Sequence, residues 1–100
     1  MKHSIVDYRN FINENFNRIF TKSRKREIVM ERRFLTIFLV KEAELSKHKV
    51  ARILRVKHPS IHYFLKPVID REFDIYYRRN IQKLRENFEN FKNSEIREVV

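Results

Sequence analysis

The stretch SKHKVARILRVKHPSIHYFLK, residues 46–66, decides the fold. Ser46 is a favourable N-cap for a short helix, and the apolar residues that follow it recur at helical spacing. Pro59 suits the first position of a second helix. Pro67 should end that helix, because proline lacks the N–H that a continuing helix needs. These signals predict two short helices joined by a turn at residues 55–57, which is the pattern of a helix-turn-helix.

The same stretch contains the residues that two crossing helices require. Ala51 is the small residue expected where the helices approach each other. A glycine with positive φ often begins such a turn, and Arg55 occupies that place here. An ordinary helical hairpin with a solvated polar face is the alternative that the apolar spacing leaves open. The residues expected to brace the helices are Val50, Leu54, Val56, Ile61 and Phe64, and Ile53 and Leu65 are also expected to face inward.

The basic charge of the chain is concentrated in its middle segment. The net charge is +10, with 23 Lys and Arg against 13 Asp and Glu. Residues 21–66 hold thirteen of the basic side chains and four of the acidic ones, whereas residues 67–100 hold seven of each. No acidic residue lies between Leu45 and Pro67. A localised excess of this kind is typical of a polyanion-binding surface, and a uniformly basic protein is the alternative.

The second predicted helix has hydrogen-bonding and cationic groups opposite its apolar residues. Such groups can contact base edges and phosphates when a helix lies in the major groove of DNA. We therefore expect sequence-specific binding of double-stranded DNA. RNA or a membrane surface remains an alternative polyanion, although the sequence shows no aromatic stacking array and no basic amphipathic face. The contacts expected from this stretch are Lys47, Lys49, Lys57, His58, Ser60, His62, Tyr63 and Lys66.

The chain before residue 46 predicts two helices separated by a basic loop. Ser4 suits the N-cap of the first helix, and Ser23 could cap a central helix from Arg26 to about Ala43. The apolar run at residues 34–40 indicates that the central helix is buried, with a buried strand as the competing interpretation. Its flanking helix formers favour the helix. The core residues expected before the loop are Ile5, Val6, Tyr8, Phe11, Ile12, Phe16, Ile19 and Phe20.

The C-terminal third predicts one long amphipathic helix. Asp70 suits its N-cap, and an apolar stripe recurs every three or four residues from Phe73 to Phe91. We expect the stripe to cover the core, and the alternative is a helical interaction module that uses it for homodimerisation or partner docking, with non-specific DNA binding. The absence of Gly further favours helices. The expected fold is an all-α, compact helical bundle, with one domain over residues 1–92 and a frayed tail over residues 93–100.

Several segments resemble the C-terminal DNA-binding domain, domain IV, of the bacterial replication initiator DnaA. The stretch KSRKREIVMERR at residues 22–33 looks like that domain's basic loop and following helix. Residues 46–54 match its first motif helix, and KHPSI at residues 57–61 stands where the family typically has Asp-His-Thr-Thr-Val. The resemblance covers about residues 5–84. It implies a stand-alone DNA-binding module that acts in replication initiation or transcription regulation.

The resemblance also implies a division of roles among the basic residues. Arg24 resembles the loop arginine, and Arg32 the helix arginine, that reach the minor groove, while Arg33 stands near a phosphate contact. His58 and Ser60 match family contacts to bases or phosphates. Lys57 and Pro59 replace an aspartate and a threonine, so the recognised sequence should differ from that of the family. The loop contacts implied in this way are Lys22, Arg24, Lys25 and Arg26.

Other classes of function have little support in the sequence. The chain has no Cys, and its four His are scattered singly, although His58 and His62 are one helical turn apart. We therefore expect that the chain is not an enzyme and that it has no catalytic residue, metal, cofactor or small-molecule substrate. The sequence contains no run of about 18 apolar residues and no secretory signal at its N-terminus. We expect no membrane association and a cytoplasmic location, with the nucleoid, or the host cytoplasm of a virus, as specific settings.

Overall fold

The computed structural model describes residues 4–21, 24–67 and 69–99, with side chains up to residue 93, and those ranges contain only helices and connections. The prediction of an all-α chain is therefore confirmed. The chain divides into two units, Met1–Val68 and Ile69–Val100. The elements are α1 (Ile5–Asn15), a 3₁₀ turn (Asn17–Phe20), α2 (Arg26–Ile37), a π-helical turn (Phe38–Glu42), α3 (Lys47–Leu54), α4 (His58–Leu65) and α5 (Arg71–Val99).

Helix α1 begins at a reciprocal cap. The Ser4 hydroxyl accepts a hydrogen bond from the Asp7 N–H at 3.2 Å, and the Asp7 carboxylate accepts one from the Ser4 N–H at 3.0 Å. This arrangement satisfies two backbone donors and places a negative charge at the helix N-terminus. Val6, which we expected in the core, is 45% exposed because it lies about 200° around the helix from Tyr8. The buried residues of α1 are Tyr8, Phe11 and Ile12.

The 3₁₀ turn is attached to α2 by an ion pair. Glu31 of α2 is only 5% exposed, and its carboxylate accepts hydrogen bonds from Nε of Arg18 at 3.1 and 3.2 Å. A second guanidinium nitrogen of Arg18 contacts the same carboxylate. The neighbouring Ile19 is buried. The pair thus provides the counter-charge that a buried carboxylate requires.

The central apolar run is helical, and the competing strand interpretation is wrong. Helix α2 continues directly into the π-helical turn, and the N–H of Ala43 donates to the carbonyl of Phe38 at 3.0 Å. Glu44 then takes a positive φ of 57°, which ends the helical path. The helical stretch accordingly has the extent predicted from the sequence. Its buried apolar side chains are Phe34, Leu35, Phe38 and Leu39.

The first unit packs its helices around one apolar core. Helix α2 packs against α4 and α3, α3 packs against α4, and α1 packs against α3. Fully buried side chains from every one of these helices meet there, and burial of each contributes roughly 1.5–3 kcal/mol. The packing fixes the positions of α3 and α4 relative to α2. The most deeply buried apolar residues are Phe11, Ile12, Phe34, Leu35, Leu39, Val50, Ile53, Leu54 and Ile61.

The second unit consists mainly of α5. Asp70 caps it as predicted, since its carboxylate accepts a hydrogen bond from the Phe73 N–H at 3.1 Å. The ring of Phe73 lies 6.5 Å from that of Tyr76 and 6.2 Å from that of Tyr77. The helix continues past Lys92 to Val99 and so includes most of the stretch expected to form a frayed tail. Over the described residues, no helix has an apolar segment of the length and hydropathy that a membrane crossing requires.

Candidate nucleic-acid interface

Helices α3 and α4 each have one apolar and one polar face. Ser46 caps α3 as predicted, because its hydroxyl accepts a hydrogen bond from the Lys49 N–H at 3.3 Å. Helix α4 begins at His58 with Lys57 at the N-cap, so Pro59 occupies the second helical position rather than the first. Proline is tolerated there because first-turn N–H groups have no partner within the helix. The buried faces consist of Val50, Ala51, Ile53 and Leu54 in α3 and Ile61 and Phe64 in α4.

The turn between α3 and α4 has a left-handed residue at Arg55, the position where such a turn often has glycine. Arg55 has φ 56° and ψ 43°. The N–H of Val56 donates to the carbonyl of Ala51 at 3.0 Å, and the N–H of Arg55 donates to the carbonyl of Arg52 at 3.3 Å. This pair of bonds is the Schellman arrangement, which usually has glycine at the left-handed position. Arg55 therefore adopts a backbone conformation that is unfavourable for a residue with a Cβ atom.

Substitutions at Arg55 test this backbone conformation. We expect Arg55→Gly to be more stable than Arg55→Ala by about 1 kcal/mol, because both lose the side chain and only glycine relieves the positive φ. Urea denaturation measures the difference. Arg52 is the matched control, since it is exposed within α3 and there Gly should be less stable than Ala by about 1 kcal/mol. Equal stability of the Gly and Ala variants at position 55 would contradict the expected strain.

The side chain of Arg55 brings the turn next to the basic loop. Its guanidinium carbon lies 4.1 Å from the centroid of the Phe20 ring, a cation–π contact. Phe20 ends the 3₁₀ turn, and the loop follows directly. Arg32 of α2 fixes the start of that loop, because its guanidinium donates to the carbonyl of Ile19 at 3.0 Å and to the carbonyl of Thr21. The beginning of the loop and the α3–α4 turn are thus held together.

Arg33 fixes the other end of α4. Its guanidinium donates to the carbonyl of Lys66 at 3.0 Å, directly after the last turn of the helix. The resemblance to the initiator domain implies that Arg32 and Arg33 contact DNA. In the structure both side chains are partly buried and bond to backbone carbonyls, so they position the loop and α4.

The remaining predicted contacts differ in their exposure. Arg24, Lys25 and Arg26 are exposed where the loop enters α2, and Lys25 occupies the N-cap position of that helix. Lys22 and Ser23, the predicted contact and the predicted cap, lie outside the described residues. His58 and Ser60 are half-buried, and the other predicted side chains of the helix pair are exposed, namely Lys47, Lys49, Lys57, His62, Tyr63 and Lys66.

The structure brings together three histidines that appear scattered in the sequence. The ring of His48 in α3 stacks on that of His58 in α4, with centroids 4.1 Å apart and planes 17° apart. The ring of His62 lies 4.9 Å from that of His58, edge to face. His48 was not among the predicted contacts, and its stack on His58 follows from the packing of α3 against α4. Over the described residues, no group of three or more His, Cys, Asp or Glu is arranged to hold a metal ion.

The environment of His58 disfavours its charged form. Partial burial lowers the pKa of His58 below its ordinary value, and the neighbouring His48, His62 and Lys47 lower it further. The neutral form of His58 is therefore favoured. The chain matches no family model, no curated protein and no solved structure.

Proposed function

We propose that this chain binds double-stranded DNA in a sequence-specific way, with α3 and α4 acting as a helix-turn-helix and the loop at residues 21–25 as a second contact. The observation that carries the proposal is the cationic surface of the helix pair. Lys47, Lys49, Lys57 and Lys66 are exposed, and no acidic residue lies between Leu45 and Pro67. Such a surface attracts phosphates and has no carboxylate of its own to oppose them.

The geometry of the helix pair supports this role. The two helices have eight residues each, and residues 55–57 join them. A connection of this length between two packed helices is usual in DNA-binding motifs. The buried apolar faces hold both helices on α2, which leaves the polar side of α4 exposed to a ligand. A rigid helix is a suitable element for reading base edges because its side chains are held in register.

The polar side of α4 carries groups suited to base edges and phosphates. Ser60 can donate or accept a hydrogen bond, and His58 and His62 can do the same in their neutral form. Tyr63 is 68% exposed, so its ring and hydroxyl can also reach a groove. These side chains would read the sequence, whereas the surrounding lysines would bind phosphates irrespective of sequence.

The basic loop extends the proposed surface away from α4. Arg24 and Lys25 are exposed, and the Arg55–Phe20 contact keeps the start of their loop beside the turn. One duplex could therefore contact the loop and the helix pair at the same time. By its resemblance to the initiator's DNA-binding domain, the proposed module would act in replication initiation or transcription regulation.

Binding to a duplex library tests the proposal. Random-sequence duplexes are incubated with the protein at low salt, and repeated selection identifies any preferred site. If about six phosphates are contacted, log affinity should fall with log salt at a slope of roughly −5. A preferred site bound at least about tenfold more tightly than random duplex would establish sequence reading. Absence of duplex binding at low salt would refute the proposal.

A further inference from the structure

The three contacting histidines lie on the surface that the proposed function assigns to DNA. His48 and His58 come from different helices, and their rings stack at 4.1 Å, while His62 contacts His58 from the next turn of α4. His48 and His62 are exposed and His58 is half-buried. No histidine in this group is needed to fill the core. Three titratable rings therefore meet at a point that a polyanion could reach.

The groups whose charge acts on His58 are all basic. Helix α3 contributes Lys47 and His48, and α4 contributes His62 as the neighbour of His58. Helix α2 also packs against α4, and its Arg33 bonds to the opposite end of that helix, at the carbonyl of Lys66. The sequence has no carboxylate from residue 46 to residue 66 that could offset a second positive charge on the rings. A second positive charge on the rings therefore has no counter-charge from residues 46–66, and a bound anion would favour it.

We propose that His48, His58 and His62, with Lys47, form a proton-dependent binding site for a backbone phosphate of duplex DNA. This inference rests on the proposed function. The protons come from solvent, and each protonated imidazole gains an N–H that can donate to a phosphate oxygen. The bound phosphate in turn offsets the repulsion among the charged rings. Binding of DNA and uptake of protons therefore favour each other.

The direction of the pH effect follows from the free and bound states. In the free protein the pKa of His58 is lowered, by partial burial first and then by His48, His62 and Lys47, so the neutral ring is favoured. A nearby phosphate raises the proton affinity of the cluster. Affinity for DNA should accordingly increase as pH falls through the range in which the bound form is protonated and the free form is not. At higher pH both forms are neutral, and the dependence should disappear.

Duplex binding as a function of pH is the experiment that tests this site. The probe is a fluorescent duplex of random sequence, and its Kd is measured from pH 8.0 to pH 5.5 at constant ionic strength. We expect about a tenfold decrease in Kd over this range, which corresponds to an average uptake of roughly 0.4 proton across the 2.5 pH units. In the variant His48→Gln/His58→Gln/His62→Gln, Kd should change by less than about twofold over the same pH range. Imidazole NMR titrations, with and without the duplex, should show that DNA raises the proton affinity of the cluster.

Controls separate this site from other titrating groups. His3→Gln removes the fourth histidine of the chain and should keep the full pH dependence. His48→Gln alone, at an exposed ring, should reduce the dependence even if the triple variant folds poorly. If the protein binds duplex with a pH-independent Kd, or if the folded triple variant keeps the tenfold change, the phosphate site is wrong and the DNA-binding proposal stands. If no duplex binds at any pH, both proposals fail.

Discussion

The variant Lys47→Gln/Lys49→Gln/Lys57→Gln should bind duplex DNA of any sequence on the order of a hundredfold more weakly at about 0.1 M salt. These three exposed lysines flank the start of both helices of the motif. If each contacts a phosphate, its loss removes about 0.9 from the salt slope, because one fewer counterion is displaced. Fluorescence anisotropy over a series of salt concentrations measures both quantities. Random and selected duplexes should lose affinity equally, since phosphate contacts carry no sequence information.

The matched control removes the same charge from the second unit. Arg78, Arg79 and Lys83 are exposed on α5, where acidic and basic residues are balanced. Their simultaneous replacement by Gln lowers the net charge of the chain by the same amount. We expect no more than about a threefold loss of affinity, because these side chains lie outside the helix pair to which the proposal assigns DNA binding, and exposed charges are screened by salt. Equal losses in the two triple variants would mean that total charge, and no particular surface, determines binding.

Local features of the fold are predictable because neighbouring residues determine them. Ser4, Ser46 and Asp70 cap the helices that follow them, since a cap needs only a short polar side chain and the backbone of the next turn. The place of Arg55 at the start of the turn is predictable for a similar reason, whereas the absence of glycine there gave no indication that Arg55 itself takes the positive φ. The buried face of α3 follows from helical periodicity. Each of these predictions uses information within about four residues.

Contacts between elements are less accessible to sequence reasoning. The His48–His58 stack depends on how α3 packs against α4, and helical periodicity does not specify that packing. The hydrogen bonds of Arg32 to loop carbonyls depend on where the 3₁₀ turn lies beside α2. The exposure of Val6 was not predicted for a different reason. Single apolar residues are common on protein surfaces, and helical spacing alone does not identify them. The candidate site is therefore predictable as a charged segment, and its internal contacts are not.

Arg18 should be important mainly because it balances the buried charge of Glu31. We expect the ion pair as a whole to contribute little net stability. In Arg18→Ala the carboxylate of Glu31 loses this cation. It stays buried, because the Glu31 side chain is only 6% exposed. Breaking a buried pair typically costs 3–5 kcal/mol. The Arg18 side chain is 58% exposed, so water can partly replace it, and we expect a loss of about 2 kcal/mol in the free energy of unfolding. Urea denaturation measures this loss.

Replacing both partners should be less harmful than removing Arg18 alone. In Arg18→Met/Glu31→Met no charge is buried, and the flexible methionine side chains can fill the space between the 3₁₀ turn and α2. The double variant should therefore recover at least half of the stability that Arg18→Ala loses. Because the turn ends at Phe20, beside Arg55, the double variant should also retain the position of the basic loop and bind duplex within about threefold of the original protein. A double variant less stable than Arg18→Ala would mean that the ion pair itself contributes net stability.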